Sequence, residues 1–243
     1  MNGLAPERLA LRNIVHIAAG THHSFAVDKN GKVYAWGNNS HMQLGIPEAE
    51  GGMTGVVPLP TLVETLNPSN HGGAKVIQIA SALHHTVFLF DNGDIFACGS
   101  CDDADAGFPA DYPDAENHCV AVPTKLAFDK TDGQETKFVK VACGLRHSFA
   151  ITSTGQLYGW GLNGGEQLGI PLENDDDEDR EAIRPPRLVP LPSNADVSFG
   201  VSAPSSSSPR RIADVLCLQV LSASSGGSHS VLLAARIVKS ESS

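Results

Sequence analysis

The amino-acid sequence predicts an all-β fold: an incomplete β-propeller with three full four-stranded blades plus partial blades at both ends. The segment from Ile17 to Val27 recurs with little change at Ile79 and at Val141. Its histidines stand 62 residues apart, at His23, His85 and His147. A fixed period of this length, filled with short strand-like segments, is typical of propeller blades that stack their sheets around one axis.

Each repeat begins with a predicted hairpin. In the first copy, Phe25 to Val27 and Val33 to Trp36 flank the turn from Asp28 to Gly31. The same hairpin is predicted around residues 91–94 and 152–155. The turn glycine follows the histidine by eight residues in every copy, as Gly31, Gly93 and Gly155. Glycine suits this position because a tight hairpin requires a positive φ.

A further strand closes each predicted blade. Its segments are Pro60 to Val63, Val122 to Leu126 and Pro185 to Val189. Proline is tolerated at the start of a strand, because no hydrogen-bond donor of the ladder is lost there. About four strands per repeat follow from this pattern.

The repeats organise residues 1–243 as a single partial propeller, with copies at about 14–63, 76–126, 138–189 and 216–237. The last copy is partial and places His229 82 residues after His147. The extra length is an insertion at 171–211 with an acidic run, 173–179, and a segment rich in serine and proline, 198–209. Blocks of like charge usually form solvated loops, although a docking strip for a basic partner is the alternative.

Composition limits the classes of partner. Of 243 residues, 41% are hydrophobic, which supplies a sizeable core. Twenty-seven acidic against 17 basic residues give a net charge of −10, which disfavours direct nucleic-acid binding because phosphate contacts require lysine and arginine. No apolar stretch approaches the roughly 20 residues of a membrane span. The first residues lack the apolar core of a secretory signal, so a nuclear or cytosolic location is expected.

The cysteines and the lack of catalytic motifs predict a protein without redox, metal or catalytic sites. The five cysteines are interpreted as free thiols of a reducing compartment. Cys98 and Cys101 have the spacing of a redox or metal motif, with His118 and Cys119 nearby, but no second pair completes four ligands. No nucleophilic triad, phosphate loop or carboxylate pair stands out. We therefore expect no enzyme, no metal and no cofactor; a thiol or metal protein built on Cys98 and Cys101 is an alternative.

The repeats resemble the regulator-of-chromosome-condensation family, whose units share the pattern GxxHxxAxxxxGxxYxWGxNxxGQLG. Residues 20–45 and 144–169 match it nearly throughout. Residues 82–107 depart, with Ala82 for glycine, Cys98 for tryptophan and Asp105 for glutamine. Within the family, the double histidine at 84–85 and the segment 224–233 are similar to the C-terminal part of the exchange factors for the GTPase Ran.

The resemblance implies two classes of residue. The repeated positions are predicted to be a buried structural framework: His23, His85, His147, Gly31, Gly93, Gly155, Trp36 and Trp160. The residue before each framework histidine varies and lies in a predicted loop at one end of the propeller, where binding function is common. In the exchange factors this loop face contacts the GTPase. The resemblance therefore implies partner contacts at His84 and His229, and extends them to His22 and Arg146. His229 itself stands at the framework position of the last copy, after Ser228, so a structural role is the alternative for it.

The implied function is guanine nucleotide exchange on Ran, in the nucleus, by competing partner binding and without covalent chemistry. Chromatin or histones are implied partners of a full-length protein. The alternative is a repeat scaffold for protein–protein interaction in a ubiquitin-ligase or trafficking protein. Residues 6–9 resemble the last strand of a preceding blade. The chain is therefore expected to be incomplete, to expose apolar blade faces and to exchange nucleotide poorly alone.

Overall fold

The computed structural model describes residues 11–47, 55–102, 105–109, 112, 115–116, 118–128, 136–171, 182–190, 217–225 and 230–237. For the last two ranges the description covers the backbone alone. The predicted strand at 6–9, the acidic run 173–179, the serine-rich segment and His229 lie outside the described residues.

The described chain forms four antiparallel sheets built from consecutive strands. The first blade contains β1 (Ile14–Ala19), β2 (His23–Asp28), β3 (Val33–Asn38) and β4 (Val56–Leu62), paired in that order. The third blade repeats this arrangement with β10 (Phe138–Cys143), β11 (His147–Thr152), β12 (Leu157–Leu162) and β13 (Ala182–Leu188). A last sheet pairs β14 (Cys217–Ser225) with β15 (Ser230–Ile237). The prediction of an all-β, incomplete propeller is confirmed.

The second blade has one strand more than the four predicted. It contains β5 (Val76–Ser81), β6 (His85–Phe90), β7 (Ile95–Ser100), β8 (Ala115–Glu116) and β9 (Cys119–Lys125), in the order β5-β6-β7-β9-β8. The added strand β8 has two residues and pairs with the start of β9. Two short 3-10 helices, Glu64–Leu66 and Pro68–His71, join the first blade to the second. Neither they nor any other helix of the described ranges is long enough to cross a membrane.

The outer strands begin three or four residues before the predicted starts. β4 begins at Val56, β9 at Cys119 and β13 at Ala182. Their ladders shift register beside a glycine of the third strand, as between Ala35 and Gly37 of the first blade. Prolines lie within these strands because a shifted ladder near a sheet edge leaves positions that need no N–H donor.

The first strand of every sheet lies innermost. β1 contacts β5, β5 contacts β10, and β10 contacts β14. Side chains join these strands across the blade interfaces: Gln78 Nε2 donates to the Val141 carbonyl oxygen at 2.9 Å, and the Val141 N–H donates to Gln78 Oε1 at 3.1 Å. At the preceding interface the Ile79 N–H donates to His16 Nε2 at 3.4 Å. Consecutive blades are thus connected at the same repeat positions.

Candidate partner-binding face

The framework histidines connect neighbouring blades. His23, His85 and His147 are buried at the start of the second strand of their sheets. His23 Nε2 lies 3.3 Å from Thr86 Oγ1, and His85 Nε2 lies 2.7 Å from Ser148 Oγ. The imidazoles of His23 and His85 therefore each contact the hydroxyl that follows the framework histidine of the next blade, and His23 Nε2 also lies 2.5 Å from Ser81 Oγ.

Burial keeps the rings of His23 and His85 neutral. Desolvation, with a smaller effect from His22 and His84, lowers the pKa of His23 to about 4. Desolvation is also the largest cause at His85, where the pKa falls to about 3, and His147 adds to it. A neutral imidazole can both donate and accept one hydrogen bond, which suits a residue that links two sheets.

The loop before each framework histidine is held by the same backbone hydrogen bonds in all three blades. The carbonyl oxygens of His22, His84 and Arg146 accept from the N–H groups of Asn38, Ser100 and Leu162, at 2.9, 2.9 and 2.8 Å. The residue three positions before each framework histidine donates its N–H to that histidine's carbonyl oxygen, at 2.7 to 3.1 Å. The same backbone arrangement therefore presents a histidine in the first two blades and an arginine in the third.

A glycine of the third strand makes this close approach possible. Gly37 has a φ of 107°, and a Cβ placed on it would lie 2.6 Å from the carbonyl oxygen of His22. Gly161 has a φ of 98° and stands at the same distance from the carbonyl oxygen of Arg146. Any side chain there would clash with the loop and adopt a disfavoured backbone conformation.

His84 is the centre of a group of imidazoles and charges on this face. Its ring stacks on that of His41, with centroids 3.7 Å apart and an interplanar angle of 16°. Burial is the largest cause of its lowered pKa, followed by His41 and Arg146, while Asp102 acts in the opposite direction. His22 also lowers the pKa of His84, so this electrostatic neighbourhood includes the variable residues of all three blades.

His41 was not predicted from the sequence. It lies in the loop between β3 and β4, 18 residues after His23. The same repeat position holds Asp103 in the second copy and Gly165 in the third. Variation inside a constant motif marked the residues before the framework histidines, and the same signal would have marked this position.

The two tryptophans differ in burial. Trp160 is fully buried against the second blade, where a Cβ on Gly107 would lie 3.1 Å from its Cδ1 atom. Trp36 is half-buried, because no described blade lies on its side of the first sheet. The turn glycines Gly31, Gly93 and Gly155 have φ angles of 85°, 92° and 82°, which a hairpin turn requires.

The cysteines are poorly suited to redox chemistry or metal binding. Cys98 is buried beside the Gln43 carbonyl oxygen, and desolvation raises its pKa. Desolvation also raises the pKa of Cys101 to about 12 and that of Cys119 to about 11. Nucleophilic and metal-binding thiols require the opposite shift. Within the described residues, no three His, Cys, Asp or Glu side chains are grouped as metal ligands would be.

Known proteins share this repeat. Profiles described as "Regulator of chromosome condensation (RCC1) repeat" match residues 14–43 and 138–167, and residues 30–89. Protein pim1 of Schizosaccharomyces pombe is 34% identical over 197 residues, which cover 78% of this chain and 33% of pim1. Guanine nucleotide exchange factor SRM1 of Saccharomyces cerevisiae is 32% identical and is matched over 71% of this chain and 35% of its own length. Human E3 ubiquitin-protein ligase HERC2 is 34% identical over 67% of this chain and 3% of its own length.

A solved structure of the same repeat type also superposes on this chain. The crystal structure of Prp20p from Saccharomyces cerevisiae, described with its binding properties to Gsp1p and histones, superposes with a TM-score of 0.67 at 25% identity. The match covers 96% of this chain and 45% of that one. The chain thus spans about a third of the length of pim1 and of SRM1. The repeat motif, the sheet order and these similarities establish that the chain belongs to the regulator of chromosome condensation (RCC1) repeat family.

Proposed function

We propose that the chain binds the GTPase Ran through the face that carries His22, His84 and Arg146, and that this binding opposes nucleotide binding. One observation carries the proposal: the same backbone hydrogen bonds hold two histidines and one arginine, His22, His84 and Arg146, at the same end of adjacent blades. Loops fixed on a rigid scaffold are the usual place of recognition. The name of SRM1, a guanine nucleotide exchange factor, and the description of Prp20p with its binding to Gsp1p support a GTPase partner, and the resemblance to the Ran exchange factors suggests Ran.

The chemistry of the face suits a protein partner. His84 has a lowered pKa and acts as a neutral hydrogen-bonding ring, while Arg146 supplies a cation beside it. Arginine and stackable rings in partly desolvated positions are typical centres of protein interfaces. His229 is proposed as a further contact from the resemblance alone, because its place in the repeat is that of the framework histidines.

Nucleotide exchange by competing partner binding involves no covalent step and no cofactor. If the chain binds nucleotide-free Ran more tightly than nucleotide-bound Ran, the nucleotide must weaken chain binding by the same factor. We propose a nuclear location and, for a longer protein containing this chain, histone or chromatin binding, as the description of Prp20p supports. Because the chain spans about a third of its relatives, we expect slow exchange relative to theirs.

Calorimetric titration of the 243-residue chain with nucleotide-free and with GDP-loaded Ran tests this function. We expect measurable affinity for the nucleotide-free form and weaker affinity for the GDP-loaded form. His84→Ala and Arg146→Ala should each weaken binding about tenfold, as truncation of an interface centre does. Asn30→Ala, on an exposed hairpin at the opposite end of the first blade, is the matched control and should bind normally.

Two results would overturn the proposal. Equal affinity for both forms of Ran would remove the exchange function, and equal effects of Asn30→Ala and His84→Ala would move the interface elsewhere. The repeat scaffold of a ubiquitin ligase is the second candidate, favoured by the similarity to HERC2. If the chain binds neither the nucleotide-free nor the GDP-loaded form of Ran, the ubiquitin-ligase scaffold is the remaining candidate.

A further inference from the structure

The loop that carries His41 is fastened to the second blade beside His84. The Gln43 carbonyl oxygen accepts from Thr86 Oγ1 at 2.7 Å, and these two residues are each two positions from a ring of the His41–His84 stack. Gln43 is 1% exposed, and its side-chain Oε1 accepts from the His41 N–H at 2.8 Å. A buried glutamine that is bonded across the blade interface therefore holds the backbone of His41 in place.

The side chain of Ser40 connects this loop to the His41 ring. Asn38 Oδ1 accepts from the Ser40 N–H at 2.8 Å and from the Ser40 hydroxyl at 2.7 Å. The same amide oxygen accepts from Gln43 Nε2 at 3.3 Å. Because the Ser40 hydroxyl has one proton and donates it to Asn38, its oxygen accepts from His41 Nδ1 at 3.1 Å. His41 therefore carries a proton on Nδ1.

The charges around the stack favour uncharged rings. Burial is the largest cause of the lowered pKa of His84. The groups that lower it further are two imidazoles and one guanidinium: His41, Arg146 and His22. Asp102 opposes them, and its Oδ1 atom also lies 4.0 Å from His118 Nδ1. A proton added to either ring would place a positive charge 3.7 Å from the other ring, on a face that already holds a guanidinium.

We infer that His41 is a positioning residue for His84, an inference that rests on the proposed function. The Ser40 hydroxyl keeps the proton of His41 on Nδ1, and the neutral His41 ring holds the His84 ring by stacking in the orientation that meets the partner. Partner binding should therefore weaken as the pH falls through the range in which imidazoles titrate.

The arrangement belongs to one repeat. The positions of Asn38, Ser40 and His41 hold Ser100, Asp102 and Asp103 in the second copy, and Leu162, Gly164 and Gly165 in the third. The third blade keeps only the backbone bond of the loop, in which the Gly165 N–H donates to Gln167 Oε1 at 2.9 Å. The side chains that fix the ring are thus an addition to a loop whose backbone bond recurs.

Calorimetric titration with nucleotide-free Ran tests the positioning role with two substitutions at one residue. His41→Ala removes the ring and should weaken binding about tenfold at neutral pH, because His84 loses its support. His41→Phe keeps a flat ring that can stack but cannot be protonated, so it should restore most of that affinity. Between about pH 7.5 and about pH 6, the unsubstituted chain should lose several-fold more affinity than His41→Phe does.

Proton–nitrogen correlation spectra of the imidazole rings test the geometry in the free chain. They should show the proton of His41 on Nδ1 at neutral pH, and Ser40→Ala should move part of it to Nε2. Ser69→Ala is the matched control, because the Ser69 N–H and hydroxyl donate to Asn67 Oδ1 at 3.3 and 3.2 Å in the same arrangement, outside the stack. His84 should titrate at higher pH in His41→Phe than in the unsubstituted chain, because a neighbouring ring that can carry positive charge is removed.

Three results would overturn the inference. If His41→Ala binds Ran as tightly as the unsubstituted chain, His84 needs no support. Equal losses in His41→Phe and His41→Ala would mean that the imidazole contacts the partner directly. A proton found on Nε2 of His41 would mean that the Ser40 hydroxyl does not fix the ring. A chain that does not bind Ran overturns the proposed function, whereas the ring spectra need no Ran and still decide whether His41 positions His84.

Discussion

The loops that follow the third strand of the second and third blades begin from the same framework and differ in structure. In the third blade, Asn163 accepts from the Leu168 N–H at 3.0 Å and donates to the Ile170 carbonyl oxygen at 2.9 Å. Asn39 forms the same pair of bonds in the first blade. In the second blade this position is Cys101, and the loop instead leads to the added strand β8.

The difference separates two sources of structure in one repeat. Strand pairing follows from the framework histidines and the third-strand glycines, which are unchanged in the second blade. The shape of the loop follows from a single buried amide, which is lost there. The same loop also has Asp105 where the other blades have glutamine, and this carboxyl is buried without a hydrogen-bond partner for Oδ1 among the described residues. The blade therefore keeps its sheet and changes its loop.

The largest expected effect concerns the position that differs most in size. Trp160→Ala should lower the free energy of unfolding by about 3–5 kcal/mol, because it leaves a large cavity between the second and third blades. Cys98→Ala, at the same position of the second blade, should cost about 1 kcal/mol, because it removes one buried sulfur. Urea unfolding of both variants measures the difference. Equal costs would mean that the tryptophan position does not hold these blades together.

The positions of the strands could be predicted from the sequence, because the sequence pattern that forms them repeats. The 62-residue period locates the hairpins of all three blades, and the glycine pattern locates their turns. The early starts of β4, β9 and β13 could not be predicted, because the prolines inside them are tolerated only through register shifts that pairing reveals.

Part of the candidate face could be predicted from the sequence, and the rest could not, for a physical reason. His22, His84 and Arg146 are visible as variation next to a constant histidine. The stacking of His41 on His84 joins two loops from different blades, so their contact depends on how the blades pack.

A second test removes the side-chain amide of Asn163, which holds its loop. Asn163→Ala should cost about 2–3 kcal/mol, because two buried backbone groups lose their partners. Cys101→Ala, at the matched position of the second blade, should cost about 1 kcal/mol, since it breaks no such pair of bonds. Chemical denaturation with both variants at one pH is the measurement. A Cys101→Ala variant as damaged as Asn163→Ala would show that the cysteine organises its loop after all.

A third expected effect is a pH dependence of the second blade, which arises only as the pH passes through the titration range of one buried carboxyl. Desolvation, with a smaller effect from Asp102, raises the pKa of Asp105 from 3.8 to about 7. Between about pH 4 and 7 the folded chain holds a proton that the unfolded chain releases, so this group's contribution to stability falls as pH rises, by about 1.4 kcal/mol per unit. Asp105→Asn removes that fall and should become the more stable protein towards pH 7.

Comparing Asp105→Asn with the unsubstituted chain at each pH isolates this carboxyl. The lowered pKa values of His23 and His85 act in the opposite direction, since their neutral forms favour the folded state as pH rises from about 4 to 6.5. Both histidines are present in both proteins and cancel in the difference. A difference that is constant from pH 4 to 8 would contradict the raised pKa.

Hydrogen exchange of the chain with and without nucleotide-free Ran, read by mass spectrometry, tests the central claim most directly. The proposed interface predicts slower exchange on binding in the three loops at 20–22, 82–84 and 144–146. It predicts unchanged exchange in the hairpin turns at 28–31, 91–94 and 152–155, at the opposite end of the same strands. Protection confined to the hairpin turns would place the partner on the wrong face and contradict the account.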